Sequence, residues 1–359
     1  IYAKATDNVD NTTTDFVNPN GTIIEDEEQH EKTSYVKYTL KDNAVKDENG
    51  NNLYGDDTTV DIEIADTYSG IRQIDWEIVA PYDDKRQAGT VTVDNNGKVT
   101  SVAKDGYSDD CLSDWKATTE DNLVTVLNNT IAITNNSNDI EIHMTLTDRA
   151  GNVTKDIVQK LSVDKSAPFV AVQMNENDDD NFSGFFRGKR EATVYVYERN
   201  FDSSDFTFDV KRTDDNGNIS DVSPNAKFEK VGTQVINGVE CYVYKMKTTF
   251  SEDGDYEFSV NAQDTAAHIR GAVADAHKVN DTAVKYSSDK TVDYVEQNDA
   301  YRNIDNAFTI DNTKPVVSVS YDNNDVRNDK YFNNHRTATI TVTEHNFVTT
   351  NNRITYTRT

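Results

Sequence analysis

Four aspartates lie where repeated segments of the chain join, and carboxylates at such positions could bind a metal ion. They are Asp148, Asp164, Asp264 and Asp311. Asp164 and Asp311 begin predicted linkers, whereas Asp148 and Asp264 end a strand of the domain before a linker. Because Ca²⁺ prefers oxygen ligands, carboxylates from both sides of a linker could hold a structural Ca²⁺ ion that stiffens the junction. The alternative is that each aspartate caps a turn through hydrogen bonds from nearby backbone.

Two further segments combine acidic and amide oxygens with glycine. They are "DENGNN" from Asp47 and "DDNGN" from Asp214. Neither continues into the twelve-residue loop with a closing glutamate that binds Ca²⁺ in EF-hands. Both are therefore expected to be hairpin turns.

No arrangement of residues predicts catalysis or a cofactor other than the Ca²⁺ considered above. The histidines share no metal-ligand spacing. They are His30, His143, His268, His277, His335 and His345. No nucleophile elbow or phosphate-binding glycine loop occurs, and acidic pairs are too numerous for any one of them to indicate a glycosidase. We predict that the chain is not an enzyme.

One covalent alternative concerns Glu198 and Asn200, which recur as Glu344 and Asn346. Surface sandwiches of Gram-positive bacteria can form Lys–Asn isopeptide crosslinks beside a buried acid. No matching lysine stands out here, so this hypothesis rests on analogy.

Composition excludes several partners. The 359 residues carry a formal net charge of −27, which argues against nucleic acid and anionic membrane surfaces. No run of 18 apolar residues is present, so no membrane insertion is expected. Cys111 and Cys241 fall in different repeats, and we expect no disulfide within a domain.

An internal repeat organises the chain. Asp164 and Pro168 recur 147 residues later as Asp311 and Pro315. The segments "REATVYVYERNF" and "RTATITVTEHNF" are 146 residues apart, and a fainter earlier copy includes "VDIEIAD". We predict the end of one domain with its linker at 1–29, two complete domains at 30–163 and 164–310, and the first part of another at 311–359.

Within each copy the apolar residues alternate with a period of two, as in half-buried antiparallel strands. Asn-Gly pairs separate the runs, and Asn237-Gly238 predicts a two-residue hairpin. The predicted fold is all-β, a series of antiparallel sandwiches. One or two helical turns are expected within residues 111–127.

The second copy contains "EDGDYEF", in which Tyr256 enters a strand as in the tyrosine corner of immunoglobulin-like sandwiches. Together with "TDRAGN" at 147–152 and the repeated "D-x-[ST]-x-P" at 164–168 and 311–315, these residues resemble bacterial Ig-like domains of very large Firmicutes surface proteins. The resemblance implies tandem immunoglobulin-like β-sandwiches, an extracellular location at the cell surface or cell wall, and a role as an adhesin stalk or spacer. The segment "AHIRG" from Ala267 departs from the usual "AGN" turn.

Two insertions distinguish the copies, about sixteen residues near 111–129 and 31 residues near 267–300. Their aromatic residues are candidates for ligand binding. They are Trp115, Tyr286, Tyr294 and Tyr301. One alternative function is therefore a module that binds a host glycoprotein, glycan or immunoglobulin. A second is a set of spacer domains in a large carbohydrate-active enzyme. A third interpretation of the insertions is that they pack their own aromatics.

Overall fold

The computed structural model describes most of the chain. The described residues are 2–6, 12–17, 23–24, 34–154, 156–175, 184–236, 238–271, 273–279, 284–287, 307–347, 350, 353 and 355. They form strands and two short 3₁₀ helices, and the prediction of an all-β chain of antiparallel sandwiches is confirmed. No helix in this part of the chain is long and apolar enough to cross a membrane.

A small antiparallel sheet comes first, formed by β1 (Tyr2–Thr6), β2 (Thr12–Val17) and β3 (Ile23–Ile24). The first sandwich follows. Its strands are β4 (Ser34–Leu40), β5 (Val45–Lys46), β6 (Asn52–Tyr54), β7 (Thr58–Asp66), β8 (Ile71–Val79), β9 (Gln87–Val93), β10 (Val99–Ala103), β11 (Lys116–Glu120), β12 (Leu123–Ile133), β13 (Ser137–Asp148) and β14 (Ile157–Val163).

The first sandwich packs a seven-stranded sheet against a four-stranded one. The strand orders are β10-β9-β8-β13-β14-β6-β5 and β11-β12-β7-β4, and only the β14–β6 pairing is parallel. Alternate residues of each strand face the other sheet, as Val60, Ile62 and Ile64 of β7 do, and these side chains are buried in one core. The period of two in the sequence arises from this alternation.

The second sandwich follows the same plan. Its strands are β15 (Phe169–Met174), β16 (Phe185–Phe186), β17 (Arg190–Glu198), β18 (Phe201–Thr213), β19 (Ile219–Asp221), β20 (Glu229–Ile236), β21 (Val239–Phe250), β22 (Gly254–Asp264), β23 (Lys278–Val279), β24 (Lys285–Ser287) and β25 (Ala307–Ile310). The orders are β20-β21-β17-β15-β24 and β16-β25-β22-β18-β19, with β23 beside β22. The 3₁₀ helices are Thr265–His268 and Ala274–His277.

A last antiparallel pair, β26 (Val316–Tyr321) and β27 (Ala338–Thr343), repeats β15 and β17. The repeat extends to a ring contact. The guanidinium of Arg190 lies 3.8 Å from the ring centre of Phe186, and that of its counterpart Arg336 lies 4.1 Å from the ring centre of Phe332, 146 residues later. The strands of the two sandwiches lie within the bounds predicted from the repeat, although the boundaries themselves stay a prediction.

The hairpin predicted at Asn237-Gly238 is present, but the helical turns predicted within residues 111–127 are not. Ile236 pairs with Val239, as the predicted two-residue hairpin requires. The helical turns expected within residues 111–127 are wrong, because β11 and the start of β12 occupy this stretch. Leu123 and Val124 pair with β11, and β12 continues beside β7 from Val126, so strand pairing outweighs the weak helical preference.

The predicted tyrosine corner is present. Tyr256 is buried, and its hydroxyl donates a 2.7 Å hydrogen bond to the carbonyl of Glu252, four residues upstream. Gly254, two residues before it, has φ near +146° and approaches the carbonyl of Thr213 so closely that a side chain would not fit. The corner therefore fixes where β22 begins.

Replacing Tyr256 with Phe should lower the free energy of unfolding of the second sandwich by about 1 kcal/mol, since one hydrogen bond is lost without changing the packed ring. Urea unfolding followed by circular dichroism measures this. The control is Tyr35→Phe, whose hydroxyl contacts Glu63 at the surface and should matter less. Equal effects of the two substitutions would contradict a structural role for the corner.

Candidate functional site at the junction of the two sandwiches

Three buried carboxylates meet where the first sandwich passes into the second. Asp164 follows β14, Glu198 ends β17 and Asp264 ends β22. Their carboxylate oxygens lie within 4.8 Å of one another, and all three residues are at most 2% exposed. Among the residues that the structure describes, no other three acidic, histidine or cysteine side chains come so close. We call this group the junction acids.

Local backbone fixes each carboxylate. Glu198 Oε1 accepts hydrogen bonds from the backbone N–H groups of the next two residues, at 2.5 and 2.9 Å. Asp264 caps the 3₁₀ helix after β22 by accepting from Ala267 N at 3.0 Å. Asp164 Oδ1 accepts from both the backbone N–H and the hydroxyl of Ser166. The strand ends thus present one carboxylate each to the same point.

His277 connects the junction acids to the first sandwich. It is fully buried, with Nδ1 2.9 Å from Asp264 Oδ2 and Nε2 2.9 Å from the carbonyl of Gly55. A carboxylate and a carbonyl both accept hydrogen bonds, so the ring satisfies both partners by donating from both nitrogens. His277 is therefore an imidazolium in this geometry.

Arg199 and Asn200 make further links across the junction. Arg199 Nη2 lies 3.7 Å from Asp164 Oδ1, and its Nη1 donates to the carbonyl of Asn136 at 2.9 Å. Asn200 Nδ2 donates to Asp164 Oδ2 at 2.6 Å, while its own Oδ1 accepts from Asn138 at 2.7 Å. Since Asn136 and Asn138 belong to the first sandwich, these residues bind the two sandwiches together.

The protonation states follow from this environment. Burial, then the charges of Asp164 and Asp264, raise the pKa of Glu198 well above its ordinary value. Burial also raises the pKa of Asp264 to about 6, against the hydrogen bond from His277. At His277 burial acts in the opposite direction, but the hydrogen bond and charge of Asp264 outweigh it and raise the pKa to about 9. Between these two values the pair is ionised.

The charges then balance without any added ion. His277 and Arg199 carry one positive charge each and offset two of the three carboxylates. Burial and the charges of Asp164 and Asp264 raise the pKa of the third, Glu198, which favours its neutral form. Burying an uncompensated charge would cost roughly several kcal/mol. This balance of charges is therefore what allows the three carboxylates to be buried away from water.

The spacing and oxygen chemistry of the junction acids raise the question of whether they bind Ca²⁺. They are close enough to bind one cation, and oxygen is the right ligand type. However, every carboxylate oxygen except Glu198 Oε2 already accepts a hydrogen bond from a protein donor. Ca²⁺ takes six to eight oxygens, and these donors and cations would oppose it. The residues do not fit a resident Ca²⁺ ion.

The structure pairs the four predicted aspartates differently from the sequence hypothesis. Asp164 and Asp264 meet, although they belong to one repeat and not to opposite sides of a linker. Asp148 instead accepts hydrogen bonds from Asn152 and Ser69, and Asp311 from Thr313 and Asn346. The period-two pattern could not reveal this, because it does not show which strand ends share one edge of the sandwich.

The turns at Asp47 and Asp214 are held as expected for hairpins. Asp47 Oδ1 accepts from the backbone N–H groups of Asn49 and Asn51, and Asp214 Oδ1 accepts from those of Asn216 and Asn218. The carboxylates therefore serve the backbone of their own loops.

The acid–amide pair repeats at the next unit. Asn346 Nδ2 donates to Asp311 Oδ2 at 2.9 Å and its backbone N–H donates to Glu344 Oε1 at 3.2 Å. Asn200 makes the same two bonds, to Asp164 and Glu198. Lys165, which directly follows Asp164, donates from Nζ to Asp57 and to the carbonyl of Thr134. This pair thus acts through hydrogen bonds, and the geometry offers no support for a crosslink from Lys165.

The two aromatic candidates that the structure describes belong to different sandwiches. Trp115 is half-buried and packs against the core of the first sandwich, with Nε1 withdrawn from solvent. Tyr286 lies on β24, at the register position opposite Val172. Tyr294 and Tyr301 lie outside the described residues. The packing of Trp115 favours a structural role for the first insertion.

Sequence reasoning missed the role of His277 and assigned other chemistry to Glu198. An isolated histidine carries no spacing signal, and its partners, Asp264 and the Gly55 carbonyl, are distant in sequence. The recurrence of Glu-x-Asn at 198–200 and 344–346 was a usable signal. In the structure these residues form hydrogen bonds with the aspartate that begins the same repeat. The recurrence alone could not show whether the asparagine makes a hydrogen bond or a covalent crosslink.

Comparisons with known proteins do not identify the chain. No model of a known protein family matches it, and no curated protein matches it either.

Replacing Glu198 with Gln should change the free energy of unfolding by no more than about 1 kcal/mol, because the amide is neutral, accepts the same two backbone hydrogen bonds and donates to Asp164. Asp264→Asn should cost about 3–5 kcal/mol, because it leaves His277 buried without its counter-charge. Urea unfolding at pH 7 compares them, with the exposed Glu191→Gln as control.

Equal losses for Glu198→Gln and Asp264→Asn would show that Glu198 is ionised and would contradict the charge balance. A resident Ca²⁺ would give a distinct result. The melting temperature of the unaltered protein would then fall on adding a chelator, and Glu198→Gln would remove that sensitivity.

Proposed function

We propose that this chain is a non-enzymatic spacer, in which tandem immunoglobulin-like sandwiches are held at a fixed angle by a side-chain junction. On this proposal it is a segment of a bacterial surface or secreted protein, and its first partners are the neighbouring domains of the same chain. The resemblance of its repeats to Ig-like surface domains supports the location. The contacts at the junction support the mechanical role.

One observation carries the proposal: the insertion of the second sandwich packs on the first. Ile269 and Ala266 form a buried apolar cluster with Leu53 of β6. His277, eight residues beyond Ile269, reaches the carbonyl of Gly55. A flexible linker would not need these contacts, so we interpret the insertion as an interdomain clamp.

The surface of the first sandwich is shaped to receive this clamp. A Cβ on Gly55 would lie 3.0 Å from His277 Nε2 and 3.2 Å from Ile269 Cδ1, closer than most packed atoms approach. Directly after β14, Asp164 N donates to the carbonyl of Tyr54 at 2.8 Å. The connection between the sandwiches is therefore tied down along its own backbone as well as by side chains.

Specific bonds of this kind favour one angle between the sandwiches. Interfaces between domains are movable by default unless they are large or closely fitted. Here the fit depends on buried hydrogen bonds, which hold only in one geometry because bent or long ones weaken steeply. A rod that projects other domains away from a surface needs this property.

The host-ligand and enzyme-accessory alternatives stay predictions. Of the aromatic residues that suggested ligand binding, Trp115 packs against the core and Tyr286 lies on β24, whereas the other two lie outside the described residues. No observation in the described part of the chain favours either alternative over the spacer.

The proposal predicts that the two sandwiches tumble as one body. ¹⁵N relaxation on the full chain should give one rotational correlation time for amides of both sandwiches. In a variant combining His277→Ala and Leu53→Ala the two values should separate, because the clamp loses its hydrogen bond and its apolar contact. We expect the same variant to lose about 5 kcal/mol of stability or more, because Asp264 is left unpaired and the buried Leu53 side chain is replaced by a cavity.

The matched control is His268→Ala. His268 lies in the same insertion, but its Nε2 contacts Asp205 at the surface and its side chain is 51% exposed. It should leave the common correlation time unchanged. Independent tumbling of the two sandwiches in the unaltered chain would overturn the spacer with a fixed angle.

A further inference from the structure

The ring of His277 lies between two hydrogen-bond acceptors that belong to different sandwiches. Nδ1 is 2.9 Å from Asp264 Oδ2 at the end of β22, and Nε2 is 2.9 Å from the carbonyl oxygen of Gly55, directly after β6. The side chain is fully buried, so water does not compete for either nitrogen. The contact across the junction therefore depends on the protonation state of one side chain.

A neutral imidazole could not satisfy both acceptors, because it carries only one N–H group. Whichever nitrogen kept the hydrogen, the other would direct a lone pair at an oxygen atom 2.9 Å away. A buried acceptor without a donor costs free energy, so the joined arrangement of the sandwiches favours the doubly protonated ring. When the sandwiches separate, the carbonyl of Gly55 moves away and water reaches the ring. The second proton is then no longer required.

Charged groups from the surrounding elements reinforce this preference. Burial lowers the pKa of His277, but the hydrogen bond and charge of Asp264 act against burial, as do the carbonyl of Gly55 and the charge of Asp164. Together these groups raise the pKa of the imidazole from its ordinary value of 6.5 to about 9. Glu198 ends β17 in the same cluster, and burial followed by the neighbouring carboxylates raises its pKa as well. A proton on either residue therefore favours the joined arrangement.

The other charged groups at the junction do not replace this proton. Arg199 Nη2 lies 3.7 Å from Asp164 Oδ1. On the first sandwich, the two aspartates between β6 and β7 are exposed to water, and they are Asp56 and Asp57. Within the described part of the chain, none of these side chains hydrogen-bonds to His277, so the two acceptors on either side of the ring set its protonation.

The direction of the pH dependence follows from this uptake of a proton. A histidine whose pKa is raised in the joined arrangement stabilises joining fully below its ordinary pKa, and this contribution is lost as the pH rises through the raised value. For His277 the window runs from about pH 6.5 to about pH 9. Glu198 acts in the same direction. One proton changes the ratio of joined to separated molecules by about tenfold per pH unit, or about 300-fold across the window.

We propose that the junction is a proton-dependent joint between the sandwiches, firm near neutral pH and progressively weaker in mildly alkaline solution, with His277 as its titrating residue. This inference rests on the proposed spacer and adds the regulation of its junction. The fixed angle between the sandwiches relaxes as the solution becomes alkaline.

The experiment uses the full chain, labelled with ¹³C at the isoleucine Cδ1 methyl groups and at histidine Cε1. Methyl relaxation gives a rotational correlation time for each sandwich, from Ile62 and Ile131 in the first and from Ile236 and Ile310 in the second, all of which are buried. Methyl hydrogens do not exchange with water, so the measurement extends on both sides of the window. The histidine signals report the titration midpoint of His277, and the signal lost in His277→Gln assigns it.

The pH dependence is compared in the unaltered chain and in Leu53→Ala, which reduces the apolar contact with Ala266 and Ile269 and makes separation observable. In Leu53→Ala the sandwiches should share one correlation time near pH 6.5 and have different ones above about pH 9. The midpoint of His277 should be about 9 in the unaltered chain. It should be lower in Leu53→Ala, because histidines of separated molecules titrate at their ordinary value.

Second substitutions locate the titrating group. His277→Gln in the Leu53→Ala chain removes that group and should abolish the change in tumbling across the window. The matched control is His268→Gln in the same chain. His268 lies in the same insertion but its side chain is 51% exposed, so this substitution should leave the change intact. Unshifted methyl signals from both cores confirm that the variants fold.

Three outcomes would overturn the proposal. They are tumbling of Leu53→Ala as one body at every pH in the window, a change in tumbling that persists in His277→Gln, and a midpoint of His277 near 6.5 in the unaltered chain. If Leu53→Ala already separates the sandwiches near pH 6.5, the same criteria apply to the unaltered chain. Independent tumbling of the unaltered chain near pH 6.5 would contradict the spacer itself, so the two failures are distinguishable.

Discussion

The cost of burying three carboxylates at one point governs the geometry around the junction. The junction acids are buried away from water. Charges at this point without counter-charges would make the folded state unstable. The protein meets this constraint with Arg199 and His277, and burial raises the pKa of Glu198, which favours its neutral form. His277 comes from the insertion of the second sandwich and also contacts the carbonyl of Gly55 in the first. The same side chain therefore both offsets the charge of the carboxylates and joins the two sandwiches. A separate second sandwich would expose His277 and much of this cluster to water.

The first sandwich meets the same constraint with different side chains. In the first sandwich the repeat aligns Asp66 with Glu198 and Asp148 with Asp264. There the hydroxyl of Ser69 lies between the two carboxylates, at 3.3 and 2.7 Å, and Ser34 donates to Asp66. Backbone N–H groups from 68 to 70 complete the shell of Asp66. Serine hydroxyls thus replace the histidine, and this acid pair needs no contact from the insertion. The carboxylates are a property of the repeat, and the clamp is specific to the second copy.

This difference explains what the sequence could and could not predict. Strands, their alternation, the hairpin at 236–239 and the corner at Tyr256 depend on neighbours within a few residues, so local pattern was sufficient. The pairing of Asp164 with Asp264 depends on which strand ends meet across a hundred residues. His277 has no local pattern at all. The helical turns predicted within residues 111–127 were wrong for a related reason. Apolar residues alternate only weakly there, and the pairing of β11 with β12 cannot be read from the sequence.

A polar junction also has a consequence that an apolar one would not. Apolar surfaces slide and tolerate several packings, whereas the bonds of Arg199 to Asn136, Asn200 to Asn138 and His277 to Gly55 hold in one arrangement. Buried polar groups often add little net stability, since desolvation offsets much of their attraction. Their contribution here is to exclude other angles, because any rotation leaves a buried charge without its partner. The small apolar cluster at Leu53 and Ile269 then supplies attraction, and the polar cluster decides the direction in which the next domain points.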